Sequence, residues 1–359
     1  MKVKKISIIG TVGLPASYGG FETLTEYLTK DLGKTYDITV YCSSKAYNNK
    51  LKSYNNAQLK YIPLNANGVQ SILYDIFSIF SSLRRVDTLL ILGVSGCIIL
   101  PFVKLISNKR IVVNIDGLEW KRAKWGKAAK KYLKYSEKLA VKYADKVVSD
   151  NKVIQQYVKD FYNIDSELIA YGADHTSNEA LTTKVLEDYP VVSGEYAFKV
   201  CRIEPENNIH IILAAFSQTP TLNLVIVGNW NISIYGEEMK LTYGQFSNIY
   251  LLDPIYDQNI LNQIRSNCYV YIHGHSAGGT NPSLVEAMYL GLPILAYGVN
   301  YNVETTKNKA TYFSDELELV ALLGNIEKMN LKVMALEMKD IAVENYKWEQ
   351  IAKQYASIF

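Results

Sequence analysis

The stretch His273-Gly274-His275-Ser276-Ala277-Gly278-Gly279-Thr280-Asn281-Pro282-Ser283-Leu284-Val285-Glu286-Ala287-Met288 joins bare backbone, a helix start and an inward carboxylate. Gly278 and Gly279 lack side chains, so backbone N–H groups around Thr280 can approach a diphosphate. Pro282 at the first helical position aims the positive helix end at the same place. Asn281 is the natural N-cap. About one turn on, Glu286 interrupts an apolar run (Leu284, Val285, Ala287, Met288, Leu290), where a carboxylate can accept hydrogen bonds from both ribose hydroxyls. Gly291 and Pro293 end the helix. An ordinary capped helix, with Glu286 reaching back to the cap, accounts for the same residues equally well.

Other constellations point the same way. His273 and His275 alternate at a strand end and share a face. Without a third ligand they suit the donor sugar or its phosphates better than a metal. Arg202, in Lys199-Val200-Cys201-Arg202-Ile203-Glu204-Pro205-Glu206-Asn207-Asn208, can neutralise a diphosphate leaving group. No D-x-D motif occurs, so no metal is expected to hold that diphosphate. The first strand runs into Gly10 to Thr23, whose glycine spacing is not the dinucleotide fingerprint, so NAD is disfavoured. Gly19 and Gly20 at the helix entrance either turn the amides toward an anion or only make the turn. Two such glycine-rich turns, one in each half, suggest a shared cleft. After the fifth strand, Asp116 stands where open parallel sheets hold ligands, able to bind a hydroxyl or act as a base. Glu119 and Arg122 nearby read as a local ion pair.

A chain of 359 residues, 48% hydrophobic, exceeds what one core usually serves, so two domains are expected. Short apolar runs alternate with helical patterns, as in parallel sheets covered by helices. The strands expected are Lys5 to Gly10, Ile38 to Tyr41, Gln58 to Ile62, Thr88 to Leu92, Arg110 to Asn114 and Lys146 to Ser149. The pattern restarts at Tyr196 to Cys201, Asn223 to Val227, Ile249 to Leu251, Tyr269 to His273 and Ile294 to Tyr297. This gives an N-terminal domain over 1–172, a linker over 173–195, a second domain over 196–345 and a docking helix over 346–359.

Four widely spaced cysteines indicate neither disulfides nor zinc and fit a reducing compartment. The N-terminus shows no signal-peptide h-region, and the apolar run Leu89 to Val103 is broken by Gly93, Gly96 and Pro101. The net charge of +3 does not argue for nucleic acid. Lys121 to Lys146 alone carries +8, leaving the rest at −5. That basic helical stretch can rest on anionic lipid, with Trp120 and Trp125 suited to the interface, or be a solvated outer helix.

Taken in order, Gly10 to Thr23, Asn114 to Trp125, Ser149-Asp150, Tyr171-Gly172-Ala173, Arg202 to Asn208, Asn223 to Gly228, His273 to Met288 and the Trp348 helix resemble retaining glycosyltransferases of family 4. More closely they resemble the bacterial polysaccharide rhamnosyltransferase subgroup. The resemblance implies an α/β, GT-B fold of two facing Rossmann-like domains with a C-terminal helix crossing back. It also implies a nucleotide sugar held mainly by the second domain and an acceptor held mainly by the first.

Of the family's two glutamates separated by seven intervening residues, Glu286 matches the second, which contacts the ribose, and Gly278 stands at the first. Asn207 or Asn208 occupies the region of a Lys that usually follows the Arg, and Asp116 stands where a His is usual. The expected reaction is metal-independent and retaining, with no cofactor. It transfers L-rhamnose from dTDP-rhamnose to a lipid-linked saccharide by a cytoplasmic protein peripheral to the inner membrane face. Catalysis would rest on Arg202 and Asp116. Donor binding would rest on Gly19, Gly20, Asn207, His275, Gly278, Gly279, Thr280, Asn281 and Glu286. A UDP-hexose donor, or a non-catalytic sugar-nucleotide-binding partner in a capsule complex, is the alternative.

Overall fold

The branched apolar runs form two parallel sheets in the computed structural model, which describes residues 3–17, 19–122 and 125–359. One unit spans Met1–Tyr171 with Trp348–Phe359, and the other spans Gly172–Lys347. In the first, β1 (Lys5–Ile9), α1 (Gly20–Leu32), β2 (Asp37–Ser43), β3 (Ser53–Tyr54), β4 (Ala57–Ile62), α2 (Gln70–Ser82), β5 (Thr88–Leu92) and α3 (Leu100–Ile106) follow in turn. They lead to β6 (Arg110–Asn114), α4 (Lys127–Tyr143), β7 (Lys146–Ser149), α5 (Lys152–Tyr162) and β8 (Glu167–Leu168). The sheet order is β3-β4-β2-β1-β5-β6-β7-β8, parallel except for β3. Central β5 is buried along its whole length because both faces are covered, which is why it reads as an unbroken apolar run. Gly10 has φ 92, and a Cβ there would lie 1.9 Å from the Leu92 carbonyl oxygen, so the turn leaving β1 requires glycine.

Helix α2 turns polar side chains inward. It buries Asp75, Ser78 and Ser82 along with Tyr74 and Ile79, while Leu73, Phe77 and Phe80 face solvent. The buried polar groups are bonded: Tyr74 donates to the carbonyls of Thr11 (2.9 Å) and Tyr41 (2.7 Å), and Ser78 and Ser82 donate back along the helix. Asp75 accepts from the Ser95 hydroxyl. Burial pushes its carboxyl up to about 7, against the hydrogen bonds from Ser95 and the Gly96 amide that pull it down.

In the second unit the chain runs α6 (Thr183–Asp188), β9 (Tyr196–Val200), α7 (Ile209–Ser217), β10 (Asn223–Val227), α8 (Ile234–Tyr243), β11 (Ile249–Leu252), α9 (Gln258–Ser266) and β12 (Val270–His273). It continues through α10 (Pro282–Tyr289), β13 (Ile294–Tyr297), α11 (Asn300–Thr305), β14 (Thr311–Phe313), α12 (Glu316–Gly324) and α13 (Leu331–Asn345). The all-parallel sheet has the order β11-β10-β9-β12-β13-β14. Ala197, Leu224, Ile226, Val270 and Ile272 on one face pack against Ile212, Phe216, Leu319 and Leu323 of α7 and α12. Residues 173–195 are built into this unit: α6 packs on α9, and Thr182 donates its N–H to Gln263 at 2.9 Å.

The last helix, α14 (Trp348–Ile358), belongs to the first unit. Trp348 stacks on Tyr27 with ring centroids 4.6 Å apart. The buried Ile351 and Ile358 contribute about 1.5–3 kcal/mol each. The spacing of Trp348, Ile351, Tyr355 and Phe359 predicts this docking, and all four are buried.

Candidate functional site

In the second unit β9 and β12 are sheet neighbours where the strand order reverses, the place at which parallel sheets open a crevice at their carboxyl ends. The chain leaving β9 passes through Arg202 and a short turn over Pro205–Asn207, with Asn208 in the left-handed region at φ 48. The chain leaving β12 runs from Gly274 to Asn281. Hydrogen bonds weld these two loops together. Asn208 donates to the Gly274 carbonyl (2.9 Å), and Ser276 donates its N–H and hydroxyl to the Glu206 carbonyl (2.8 and 3.0 Å). A Cβ at Gly274 would sit 2.2 Å from the Asn207 carbonyl oxygen, so only glycine allows this approach.

Asn207 is buried and braces the loops. Its amide donates to the Arg202 carbonyl (2.9 Å), leaving Oδ1 to accept from Nδ1 of His275 (3.0 Å). In neutral form, His275 therefore carries its proton on Nδ1 and its lone pair on Nε2. Asn302 holds the His275 carbonyl from behind at 2.8 Å. His273 is fully buried on the last residue of β12. Burial, then the charges of Lys199 and His275, drive its pKa well below the usual imidazole value. It is a neutral ring beneath the loop, while His275 lies on the loop itself.

Helix α10 begins as its sequence predicts. Asn281 accepts from the Ser283 N–H (3.0 Å) and hydroxyl (2.8 Å), and Pro282 takes the first helical position. Gly278 has φ 99, a conformation that glycine adopts without strain. Among the described residues, the amides of Ala277, Gly278 and Gly279 donate to no protein acceptor. Three available N–H groups thus meet the positive end of a helix, which is the chemistry of an anion site. Thr280 beside them is buried.

Glu286 does not reach back to this cap. One oxygen bonds Nη1 of Arg265 on α9, and the other lies 3.1 Å from Nε2 of His175. Arg265 is fully buried and also donates to Asn262 at 2.9 Å. Burial pushes the Glu286 carboxyl up, but Arg265 and His175 outweigh it and hold it at about 2. The carboxylate is thus ionised across the physiological range, and each oxygen retains a second lone pair for a hydroxyl. Sequence reasoning missed Arg265 and His175. The available signal was a cation beside inward-facing Leu261 and Ile264, a position that requires a counter-charge.

The first unit holds the remaining sequence-predicted residues. Asp116 follows β6 at φ 61, its N–H donating to Asn114 (2.9 Å), which in turn donates to Tyr355 (2.8 Å). A non-glycine residue held at positive φ at a strand's carboxyl end is an uncommon placement that functional loops tolerate. Gly19 caps α1 at φ 131, with Gly20 as the first helical residue. The loop before them is gripped by its own helix: Glu22 accepts from the Val12 N–H (2.7 Å) and the Thr11 hydroxyl (3.1 Å), and Glu26 accepts from the Ala16 N–H (2.7 Å).

Glu119 and Arg122 form the expected ion pair at 3.0 Å. Trp120 and Trp125 give their ring N–H groups to Glu137 and Glu119, so both rings are tied down on the protein. Lys131, Lys134, Lys138 and Lys142 are exposed along α4. Tyr18 of the first loop and Lys124 of the basic stretch lie outside the described residues. Among the described residues no cluster of three or more His, Cys, Asp or Glu could hold a metal, and no helix is long and apolar enough to cross a membrane.

Two family models match separate parts of the chain. Residues 191–354 match the family model described as Glycosyl transferases group 1, and residues 3–174 match a domain of unknown function, DUF1972. An uncharacterized glycosyltransferase of Methanocaldococcus jannaschii is 23% identical, over 95% of this chain and 94% of its own. Sucrose-phosphate synthase from Thermosynechococcus elongatus superposes with a TM-score of 0.81 at 14% identity, over 99% of this chain and 98% of its own. Anabaena HepE in complex with UDP-glucose gives 0.76 at 14% identity, over 99% of both chains. The fold is GT-B.

Proposed function

From a GT-B chain whose second unit carries a glycosyl transferases group 1 domain, we propose a retaining, metal-independent glycosyltransferase. It moves L-rhamnose from dTDP-rhamnose onto a lipid-linked saccharide at the inner face of the cell membrane, in capsule or surface polysaccharide synthesis. The observation that carries the reading is the pairing of unclaimed amides at Ala277 to Gly279 with the ionised Glu286 one turn into the same helix. The amides and Arg202 would stabilise the departing nucleoside diphosphate, as preorganised donors do where charge develops. Glu286 would accept the ribose hydroxyl. Nε2 of His275, held as an acceptor by Asn207, would receive a sugar hydroxyl. Asp116 would orient donor sugar or acceptor. That the Anabaena relative holds UDP-glucose on the same fold supports a nucleoside diphosphate sugar as the donor class.

Thermal unfolding with dTDP and with UDP tests the donor, because the tighter ligand raises the midpoint further by mass action. A larger shift with dTDP, followed by rhamnose transfer to a lipid-pyrophosphate saccharide, is the expected result. A larger shift with UDP would move the donor to a UDP-hexose. No shift with either nucleotide would overturn the reading.

A further inference from the structure

We propose that the α2–α3 flank of the first unit is a docking surface for an anionic lipid bilayer. A helix on a folded domain normally turns its apolar stripe inward. Here α2 buries Tyr74 and Ile79 yet leaves a second apolar stripe outside: Val69 at its cap, Leu73, Phe77 and Phe80, spaced by four, four and three residues, are exposed, with Phe77 at 54%. The stripe is about 16 Å long at the helical rise. Helix α3 adds Phe102, Leu105 and Ile106, all exposed, with Leu105 at 83%. The rings of Phe80 and Phe102 meet edge to face at 6.1 Å, so the two helices present one continuous patch. Contiguous apolar patches rimmed by polar groups mark interaction sites.

Charge identifies the occupant. At the end of the stripe lies a groove of about 1130 Å³ lined by Lys60, Phe80, Arg84, Arg85, Ile106 and Lys109. Among the described residues none of its four cations forms an ion pair with a carboxylate. The one acid of α2, Asp75, is buried, and the one charge of α3, Lys104, is paired with Asp145 at 2.6 Å. An apolar stripe ending in unpaired cations matches acyl chains beneath phosphate headgroups. A second copy meeting this patch about a two-fold axis would bring the two cation groups together, which disfavours self-association. Helix α4, packed on α3, extends the positive surface. The inference rests on the membrane placement proposed above and moves its anchor from lysines alone to an inserted apolar stripe.

Flotation of the full chain with vesicles of phosphatidylcholine, alone or mixed with phosphatidylglycerol, tests the surface. Binding to the mixed vesicles only is expected. Leu73→Ser with Phe77→Ser should lower the bound fraction roughly tenfold or more, and Arg84→Gln and Arg85→Gln about fivefold for each charge. Absence of flotation overturns the proposal. So does binding that survives Leu73→Ser/Phe77→Ser yet is lost with Lys131→Gln/Lys134→Gln/Lys138→Gln, which would place the membrane on α4. Sedimentation showing a dimer abolished by the same serine pair, without vesicle binding, would also overturn it. Nucleotide-dependent thermal stabilisation, unchanged in every variant, shows that each is folded and reports on the donor reading separately.

Discussion

Glu286 in the second unit, half-buried, and Asp75 in the first, fully buried, are both carboxylates on helices, yet they titrate far apart. Glu286 faces the Arg265 guanidinium and is held at about 2; Asp75 has a hydroxyl and an amide for partners and is pushed up to about 7. Burial acts on both in the same direction, so the counter-charge decides. The same contrast runs through the strand-to-helix turns. At α1 the first-turn Glu22 is spent on the loop that precedes it, whereas at α10 the carboxylate is turned sideways onto α9 and the loop amides are left for something else. One turn is closed by a carboxylate of its own helix, and the other leaves its loop amides open ahead of the Asn281 cap.

The largest effect expected from breaking this contrast comes from Arg265→Met. It takes the guanidinium from the ionised, half-buried Glu286, leaving only His175 beside it, and should cost about 3 kcal/mol, read by denaturant unfolding. Arg265→Met combined with Glu286→Gln leaves no unpaired charge and keeps a partner for His175. It should recover most of that stability while nucleotide diphosphate binding, read by calorimetry, stays weak. Recovery of both would reduce Glu286 to a structural counter-ion. For this reason Glu286→Gln alone is an ambiguous test of ribose binding, since it leaves Arg265 unpaired.

Asp75→Asn should give a gain that depends on pH. The folded-state pKa of about 7 lies above the unfolded value near 3.9. The native state therefore holds the proton longer, and stability falls as pH rises through the window between the two values, then levels off. Relative to the parent, Asp75→Asn should be neutral near pH 4 and more stable above pH 7, by at most about 4 kcal/mol. Unfolding midpoints at the two pH values give the difference. An equal effect at both would mean that folding leaves the Asp75 pKa unchanged.

The sequence exposes the parts of this arrangement that are local. Strands such as Thr88 to Leu92 and Asn223 to Val227 are legible to the residue because burial on both faces demands apolar side chains at all but their first position. The cap at Asn281 and Pro282 is legible because a helix start is settled within one turn. The edge strands β3, β8 and β14, two or three residues long, are not, since their pairing comes from the neighbouring strand rather than from their own composition. Arg265 and His175 lie 21 and 111 residues from Glu286, and only the fold brings them to it. The face of α2 is not given by periodicity alone: Leu73, Phe77 and Phe80 stay outside while Asp75, Ser78 and Ser82 turn inward beside Tyr74 and Ile79.

Glu22→Ala tests the closed turn. It removes the acceptor of the Val12 N–H and the Thr11 hydroxyl, and should cost about 1–3 kcal/mol, with nucleotide affinity unchanged. A loss of nucleotide affinity with stability intact would put this loop in contact with the donor.

The smallest and sharpest test is at the open turn. Asn281→Ala deletes the cap on α10 and should cost about 1 kcal/mol of stability, with a correspondingly modest effect on binding. Asn281→Asp keeps an oxygen acceptor for the Ser283 N–H and should leave stability within a few tenths of that of the parent. It also places a negative charge beside the amides of Ala277 to Gly279. If those amides hold a diphosphate, the new carboxylate should weaken nucleotide diphosphate binding by roughly tenfold, an effect that diminishes with added salt. A nucleoside without phosphates should bind both proteins equally. Unchanged diphosphate affinity in a folded Asn281→Asp protein would mean that the anion sits elsewhere, and the contrast between the two helix starts would then be one of packing alone.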